Sequence, residues 1–158
     1  MRRFAASLLA AASLASAALA EDVTIATAQG EATVAAPPAK VVAFDVAAID
    51  TLTALGVTLA GVPDNLYIPS LKENPALKVE TVGTLFEPDL EKLAGIAPDL
   101  IVVGSRSAAQ KDAVAQVSPA IDMTVGPDLI GDAEARITAY GTLFAKADEA
   151  AALNTALD

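Results

Sequence analysis

The sequence predicts an α/β protein: a three-layer lobe with a mainly parallel sheet, an opening β-hairpin and a long carboxyl-terminal helix. Between residues 41 and 125, short apolar runs alternate with helical segments of one to three turns, as in sheets covered by helices on both faces. From residue 128 onward, apolar residues recur at steps of three and four, which indicates a helix. We therefore divide the chain into a signal peptide (1–20), a lobe (21–127) and a helix (128–158).

The lobe is predicted to begin with a β-hairpin and to continue with alternating strands and helices. A hairpin is predicted because two short strand-like segments flank Gln29-Gly30, a pair typical of turns, and Pro37-Pro38 ends it. A helix is predicted over Val46–Leu55, closed by Gly56. Short apolar runs predict buried strands. These strands are Val41–Phe44, Thr58–Val62, Val79–Val82, Leu100–Val103 and Ala120–Val125.

Residues 82–104 read as strand end, loop, capped helix, strand and second loop. Pro88 suits the first helical position, where a missing N–H costs nothing. Asp89 and Glu91 place negative charge near the positive end of the helix dipole. Gly95 suits the residue that follows the last turn. The unit therefore predicts a helix of two turns between two backbone turns at one edge of the sheet.

Two further helices are predicted. Ser107 and Gln110 have the spacing of a capping box, so a helix is expected from Ala108 to about Val117. The last helix is expected to be long because its apolar stripe is sustained over about six turns. The stripe consists of Ile130, Ala133, Ile137, Tyr140, Phe144, Ala147 and Ala151.

The amino terminus has the features of a secretory signal peptide. Arg2 and Arg3 precede an apolar segment from Phe4 to Ala17, and residues 18–20 satisfy the small-x-small rule for cleavage before Glu21. A membrane anchor is the weaker alternative, because the segment is rich in alanine and barely long enough to span. The arginine pair leaves general and twin-arginine export open. We expect no integral membrane segment in the mature chain.

Composition excludes several function classes. The chain has no cysteine, which excludes disulfides, thiolate metal sites and a lipid-modified cysteine at the cleavage site. It has no histidine, which removes the commonest zinc ligand and the commonest general base near neutral pH. The net charge of −10 becomes −12 once residues 1–20, with two arginines and no acidic residue, are removed. Such a surface repels nucleic acid, so no nucleic-acid partner is expected.

The order of the sequence motifs along the chain resembles that of a known protein family. The pattern VG…EPD-LE-L…PDLI-VG-R, here from Val82 to Arg106, is similar to the first lobe of periplasmic binding proteins that carry ferric siderophores, haem or cobalamin to ABC importers. The likeness extends from Val41 to Asp158. It implies capture of a ferric siderophore and its delivery to an inner-membrane permease, with haem or cobalamin as alternatives. It also implies that the long helix joins two lobes and that a second lobe is absent from this chain.

The resemblance implies a binding protein and not an enzyme, with no cofactor and with Fe³⁺ present only inside a bound siderophore. Together with the signal peptide and the lack of cysteine, it implies a non-lipidated periplasmic protein of the Gram-negative type. Two other classes stay open: a secreted enzyme restricted to Asp, Glu, Ser, Lys or Tyr chemistry, and a partner-binding α/β lobe. Activity on ester, glycoside and phosphate substrates would indicate the former, and a protein partner without small-molecule saturation the latter.

Candidate ligand-binding residues lie after the predicted strands, because open α/β sheets bind ligands at the carboxyl ends of their strands. Arg106 is the first candidate, since its guanidinium can hold catecholate or carboxylate oxygens by paired hydrogen bonds; the alternative is an exposed arginine satisfied by a surface carboxylate. Tyr67 could supply an aromatic wall or simply pack its loop. Asp45 could contact ligand or cap the following helix. Phe86 is expected in the core.

Two further charged residues, Lys111 and Glu91, each have two possible roles. Lys111 could assist Arg106 as a second cation, although a solvated helix face is the favoured interpretation. Glu91 matches the glutamate that, in the resembled family, docks onto arginines of the permease. Glu87 fits that pattern less well, and the alternative for Glu91 is an exposed helix carboxylate with a small dipole benefit.

Overall fold

The computed structural model describes residues 21–157; the predicted signal peptide and Asp158 lie outside this range. Seven strands are present in the described part of the chain. They are β1 Glu21–Thr27, β2 Gly30–Ala36, β3 Val41–Ala43, β4 Leu59–Val62, β5 Glu80–Thr81, β6 Leu100–Val103 and β7 Ala120–Asp122. The helices are α1 Val46–Ala54, α2 Pro69–Lys72, α3 Leu90–Ile96, α4 Lys111–Val114, α5 Leu129–Leu143 and α6 Ala147–Leu157, with 3-10 segments at Pro75–Leu77 and Ser105–Gln110.

The predicted α/β class is confirmed, with β1 and β2 forming an antiparallel hairpin and the other five strands a parallel sheet. The order of the parallel strands is β5-β4-β3-β6-β7. The chain therefore builds outward from β3 to β5, returns to the centre, and builds outward again from β6 to β7. The switch in direction lies between β3 and β6, whose carboxyl ends diverge into loops that leave toward opposite sides. In open α/β sheets this is where ligands bind.

The central strands are buried on both faces, which explains their wholly apolar sequences. Val41 and Ala43 of β3 face one core cluster, with α1, α5 and the hairpin, whereas Val42 faces a second cluster with α3 and α4. In β6, Leu100 and Val102 likewise join the first cluster, and the alternate residues join the second. This alternation confirms three layers.

The hairpin packs on the lobe at the open edge near β7. The Ala28 N–H donates to the Asp122 carbonyl (2.9 Å). Arg136 of α5 ties the hairpin to the loop after β7: its Nη1 donates to the Ala26 carbonyl (3.2 Å) and its Nε to the Thr124 carbonyl (3.3 Å). The hairpin is therefore part of the same packed unit as the sheet.

The prediction of one long helix over 128–158 is wrong: α5 and α6 are separate and pack against each other. Ala145 between them has a left-handed backbone, with φ of 53°. The Lys146 N–H donates to the Gly141 carbonyl (2.7 Å) and the Ala145 N–H to the Thr142 carbonyl (3.4 Å), the two bonds of a Schellman motif. An alanine in the position that usually takes glycine leaves the apolar periodicity uninterrupted, so the stripe predicted continuity where the chain turns back.

Two helix starts also differ from the predicted positions. α3 begins at Leu90 and not at Pro88, because Asp89 is its N-cap: the Asp89 Oδ1 accepts from the Lys92 N–H (3.0 Å). Gly95 lies inside α3, and Ala97, with φ of 50°, takes the left-handed position after it. Ser107 does not cap a helix starting at Ala108. It lies inside the 3-10 segment that begins at Ser105. Its hydroxyl accepts a hydrogen bond from the Gly104 N–H.

Candidate ligand-binding site

A cleft of about 430 Å³ lies at the switch point, between the ends of β3 and β6. The residues that follow β3 line one side of the cleft, and residues 104–106, which follow β6, line the other side. Tyr67, Ile68 and Leu85 come from the loops after β4 and β5 and supply an apolar wall. The full lining is Phe44, Asp45, Val46, Ala47, Asp50, Tyr67, Ile68, Leu85, Gly104, Ser105 and Arg106.

Arg106 is exposed and contributes the single cation among the described residues that line this cleft. Within residues 21–157 its guanidinium has no ion pair or hydrogen bond to another side chain. Its five N–H groups are therefore available to an anionic ligand. The structure places Arg106, Tyr67 and Asp45 around one cleft, as the sequence predicted for residues that follow neighbouring parallel strands.

The conformation of the loop that carries Arg106 is unusual. Ser105 is left-handed, with φ of 46°, a conformation that side-chain-bearing residues adopt at a cost and often at functional sites. The Ser105 N–H donates to the hydroxyl of Thr124 (2.8 Å). On its other side, the buried Ser107 hydroxyl accepts from the Gly104 N–H (3.1 Å) and donates to the Gly104 carbonyl (3.0 Å). The loop is thus fixed on both flanks of Arg106.

Asp45 is buried (5% exposed) and caps α1, because its Oδ2 accepts from the Ala48 N–H (3.0 Å). Burial raises the pKa of the Asp45 carboxyl above its ordinary value, and the negative charge of Asp122 raises it further. The hydrogen bond from the Ala48 N–H lowers this pKa and so offsets part of the rise. These contacts give Asp45 a capping role, one of the two roles that the sequence predicts for it. A carboxylate so placed also disfavours a second anion next to it, which makes the placement of Arg106 more important.

Tyr67 is the exposed aromatic residue of the cleft lining. Tyr67 is 72% exposed and separates the cleft from a second depression of about 350 Å³ beside α2. Phe86, which the sequence assigned to the core, is 60% exposed, because its neighbour Leu85 fills the buried position instead. Ile68 is also partly exposed. It was not predicted as a cleft residue, although its position next to Tyr67, in the loop after a strand, could have indicated it.

Lys111 and Glu91 lie outside the cleft. Lys111 Nζ donates to Gln29 Oε1 (2.6 Å), and Gln29 Nε2 donates to Asp122 Oδ2 (3.2 Å). Lys111 is thereby engaged with the hairpin turn and does not line the cleft as a second cation. Glu91 is exposed in the first turn of α3, and Glu87 is exposed in the loop before it. Both carboxylates are accessible to a partner.

Among residues 21–157 no group of three or more acidic side chains is arranged to hold a metal ion. None of the helices in that range has both the length and the apolar character of a bilayer-spanning helix. The cleft can offer apolar and aromatic contact to a ligand surface together with paired hydrogen bonds from one guanidinium. A cleft at the switch point of an open α/β sheet is the usual place of a ligand site in such folds.

Comparison with known proteins places this lobe in a family. The chain belongs to the periplasmic binding protein family, whose model matches residues 41–158. The family resemblance drawn from residues 82–106 is therefore confirmed.

Relatives with assigned ligands share part of the sequence. The petrobactin-binding protein YclQ of Bacillus subtilis is 36% identical over 93 residues, which cover 56% of this chain and 28% of YclQ. The Fe(3+)-citrate-binding protein YfmC of the same organism is 32% identical over 76 residues, covering 47% of this chain and 24% of YfmC. The matched segments thus span less than a third of either relative.

The fold is also that of solved binding proteins. The crystal structure of the periplasmic catecholate-siderophore binding protein VctP from Vibrio cholerae superposes with a TM-score of 0.76 at 26% identity. The superposition covers 86% of this chain and 50% of VctP. The chain therefore corresponds in fold to about half of that protein.

Proposed function

We propose that this chain forms a ligand-binding lobe of the solute-binding component of an ABC importer, and that its ligand is a ferric siderophore. The observation that carries the proposal is the cleft at the switch point, where Arg106 faces an apolar and aromatic wall. The family and its relatives support the ligand class, because their names include petrobactin, ferric citrate and catecholate siderophores.

Recognition is directed to the outer surface of the chelate. The ferric ion is cargo, and the oxygens of the siderophore fill its coordination sphere, so the lobe needs no metal ligand of its own. The guanidinium of Arg106 pairs with anionic catecholate or carboxylate oxygens. Tyr67 and Ile68 contact the apolar parts and rings of the chelate. The lobe therefore binds and releases its ligand without a chemical step, a cofactor or catalysis.

The proposed partner is the permease in the inner membrane, with Glu91 as a docking residue. The support is that Glu91 is exposed on α3 and outside the cleft, so it is free for a protein partner while ligand occupies the cleft. We further propose a periplasmic, non-lipidated location after export. The signal-peptide features of residues 1–20 and the lack of cysteine support this location. Mass spectrometry of the exported chain tests it: cleavage before Glu21 is expected, and a retained or acylated amino terminus contradicts it.

The ligand proposal is tested by NMR on the purified, 15N-labelled chain. A gallium complex of a catecholate siderophore is diamagnetic and should shift amide signals of residues 45, 67 and 104–106. The ferric complex is paramagnetic and should broaden the same signals. The metal-free siderophore, haemin and cobalamin serve as comparison ligands. Signals that respond only outside the cleft, or that respond to haemin or cobalamin and not to the gallium complex, contradict the proposal.

A further inference from the structure

A chain of hydrogen bonds outside the cleft ends on the loop that carries Arg106. It starts at Lys111, whose Nζ donates to Gln29 Oε1 (2.6 Å), and Gln29 Nε2 donates to Asp122 Oδ2 (3.2 Å). The other oxygen of Asp122, Oδ1, accepts from both the hydroxyl (2.6 Å) and the backbone N–H (3.0 Å) of Thr124. The Thr124 hydroxyl then accepts from the Ser105 N–H (2.8 Å).

The direction of these bonds is set by Asp122. A threonine hydroxyl has one proton and two lone pairs. Because Asp122 takes that proton, only lone pairs of the Thr124 oxygen are left to face the Ser105 N–H. Asp122 is itself buried (6% exposed), and its two oxygens are used on opposite sides, so neither it nor Thr124 can rearrange without losing a bond.

The chain of hydrogen bonds ends at Ser105, whose backbone conformation is unfavourable. Ser105 has φ of 46°, and a left-handed backbone is unfavourable for a residue with a Cβ. Its N–H is fixed by Thr124, and the next residue is Arg106. A turn of the Ser105 backbone toward an ordinary conformation would redirect the chain at Arg106. Neither Thr124 nor Asp122 lines the cleft. Asp122 also acts on the cleft residue Asp45 through its charge, whereas Thr124 reaches the cleft through this loop.

We propose that Thr124, oriented by Asp122, is the positioning residue for Arg106. The proposal rests on the proposed function in one respect, since it assumes that Arg106 contacts the anionic part of the ligand. The hydrogen bond from Ser105 to Thr124 keeps Ser105 in the left-handed conformation, and this conformation presents the guanidinium to the cleft. The site for an anionic chelate therefore includes β7, which contributes no contact with ligand.

The test compares Thr124→Val, which removes the hydroxyl at constant shape, with Thr124→Ser, which keeps it. Thr124 is only partly buried, so both variants should fold; Thr124→Ala is a second hydroxyl-free variant. The first readout needs no ligand: amide hydrogen exchange of Ser105. We expect slow exchange in the wild type and in Thr124→Ser, and at least tenfold faster exchange in Thr124→Val and Thr124→Ala. Unchanged exchange in both hydroxyl-free variants overturns the proposal.

The second readout is affinity for the ferric complex of a tris-catecholate siderophore, by calorimetry, in a double-mutant cycle with Arg106→Ala. Thr124→Val should weaken binding by about tenfold and should cause no further loss when Arg106 is already alanine. Losses that add in the double variant overturn the proposal, because they assign Thr124 an effect independent of Arg106. If Arg106→Ala itself leaves affinity unchanged, the proposed role of Arg106 fails, while the exchange data still decide whether Thr124 fixes Ser105.

Discussion

Asp45 and Gly104 are in contact across the switch point of the sheet. A Cβ on Gly104 would lie 2.9 Å from Asp45 Cγ, closer than real Cβ atoms approach a neighbour. Asp45 follows β3 and Gly104 follows β6, so this contact joins the two loops that form the cleft. The glycine is required for space and not for backbone freedom, since its φ of 178° is open to any residue.

Gly104→Ala should therefore destabilise the protein. We expect a loss of about 1–3 kcal/mol in the free energy of unfolding, the usual cost of overpacking, measured by urea denaturation. Gly95→Ala is the matched control, because Gly95 lies within α3 and a Cβ there meets nothing within 4 Å. It should stabilise by about 0.5–1 kcal/mol. Equal effects of the two substitutions would contradict the packing of Asp45 on Gly104.

Asp45 itself gives a pH prediction. Because burial raises its pKa in the folded state above the ordinary value of 3.8, the unfolded chain ionises first as pH rises. The contribution of Asp45 to stability is therefore fully present below pH 3.8 and falls as pH rises through the folded pKa. Asp45→Asn keeps a capping side chain without the charge. Its stability relative to the wild type should increase over this pH range and then level off.

Asp45→Ala separates the cap from the charge. It should lose about 1 kcal/mol near neutral pH, because α1 loses its cap, whereas Asp45→Asn should be at least as stable as the wild type. Urea denaturation of all three proteins at several pH values checks both statements. An Asp45→Asn variant as unstable as Asp45→Ala would show that the ionised carboxylate is required for the fold.

The turn between α5 and α6 is tested with glycine. Ala145 is left-handed, so Ala145→Gly should stabilise the protein by about 1 kcal/mol. Ala151 is exposed in the middle of α6, and Ala151→Gly should destabilise it by about 1 kcal/mol. Thermal unfolding of both variants gives the comparison. In a single continuous helix both substitutions would destabilise, so opposite signs distinguish the helical hairpin from the long helix that the periodicity predicts.

Glu91 is tested in cells that depend on this transport system. Uptake of the ferric siderophore should fall when Glu91 is changed to alanine, while ligand affinity of the purified chain stays unchanged, because a surface charge acts on the encounter with the permease. Glu87→Ala is the control, since Glu87 is exposed nearby and should have a smaller effect. Equal uptake in Glu91→Ala and wild type would leave Glu91 as an ordinary helix carboxylate.

The sequence predicted those elements whose bounds depend only on residues close together in the chain. Leu100–Val103 was predicted with its observed bounds, because a wholly apolar run ends at Gly104. The cleft residues Arg106 and Tyr67 were predicted because parallel strands bring their carboxyl ends together. Position in the chain relative to a strand was sufficient for this.

Contacts between distant residues were not predictable in the same way. The break at Ala145 depends on the approach of α6 to α5, where a Cβ on Gly141 would lie 2.5 Å from the Ala150 Cβ, and alanine at 145 carries no stop signal. The bond between Ser105 and Thr124 joins residues 19 positions apart and exists only because β6 pairs with β7. The exposure of Phe86 follows from which of two apolar neighbours fills the core.

The central claim is that the cleft recognises an anionic ferric chelate through Arg106. The most direct measurement is calorimetric titration of wild type and Arg106→Ala with two ligands, a ferric tris-catecholate and a neutral ferric trihydroxamate. We predict that Arg106→Ala weakens the anionic chelate by about 1.5–3 kcal/mol, the range for a hydrogen bond to a charged group, and leaves the neutral chelate nearly unchanged. Equal losses for both chelates, or no loss for either, would contradict the claim.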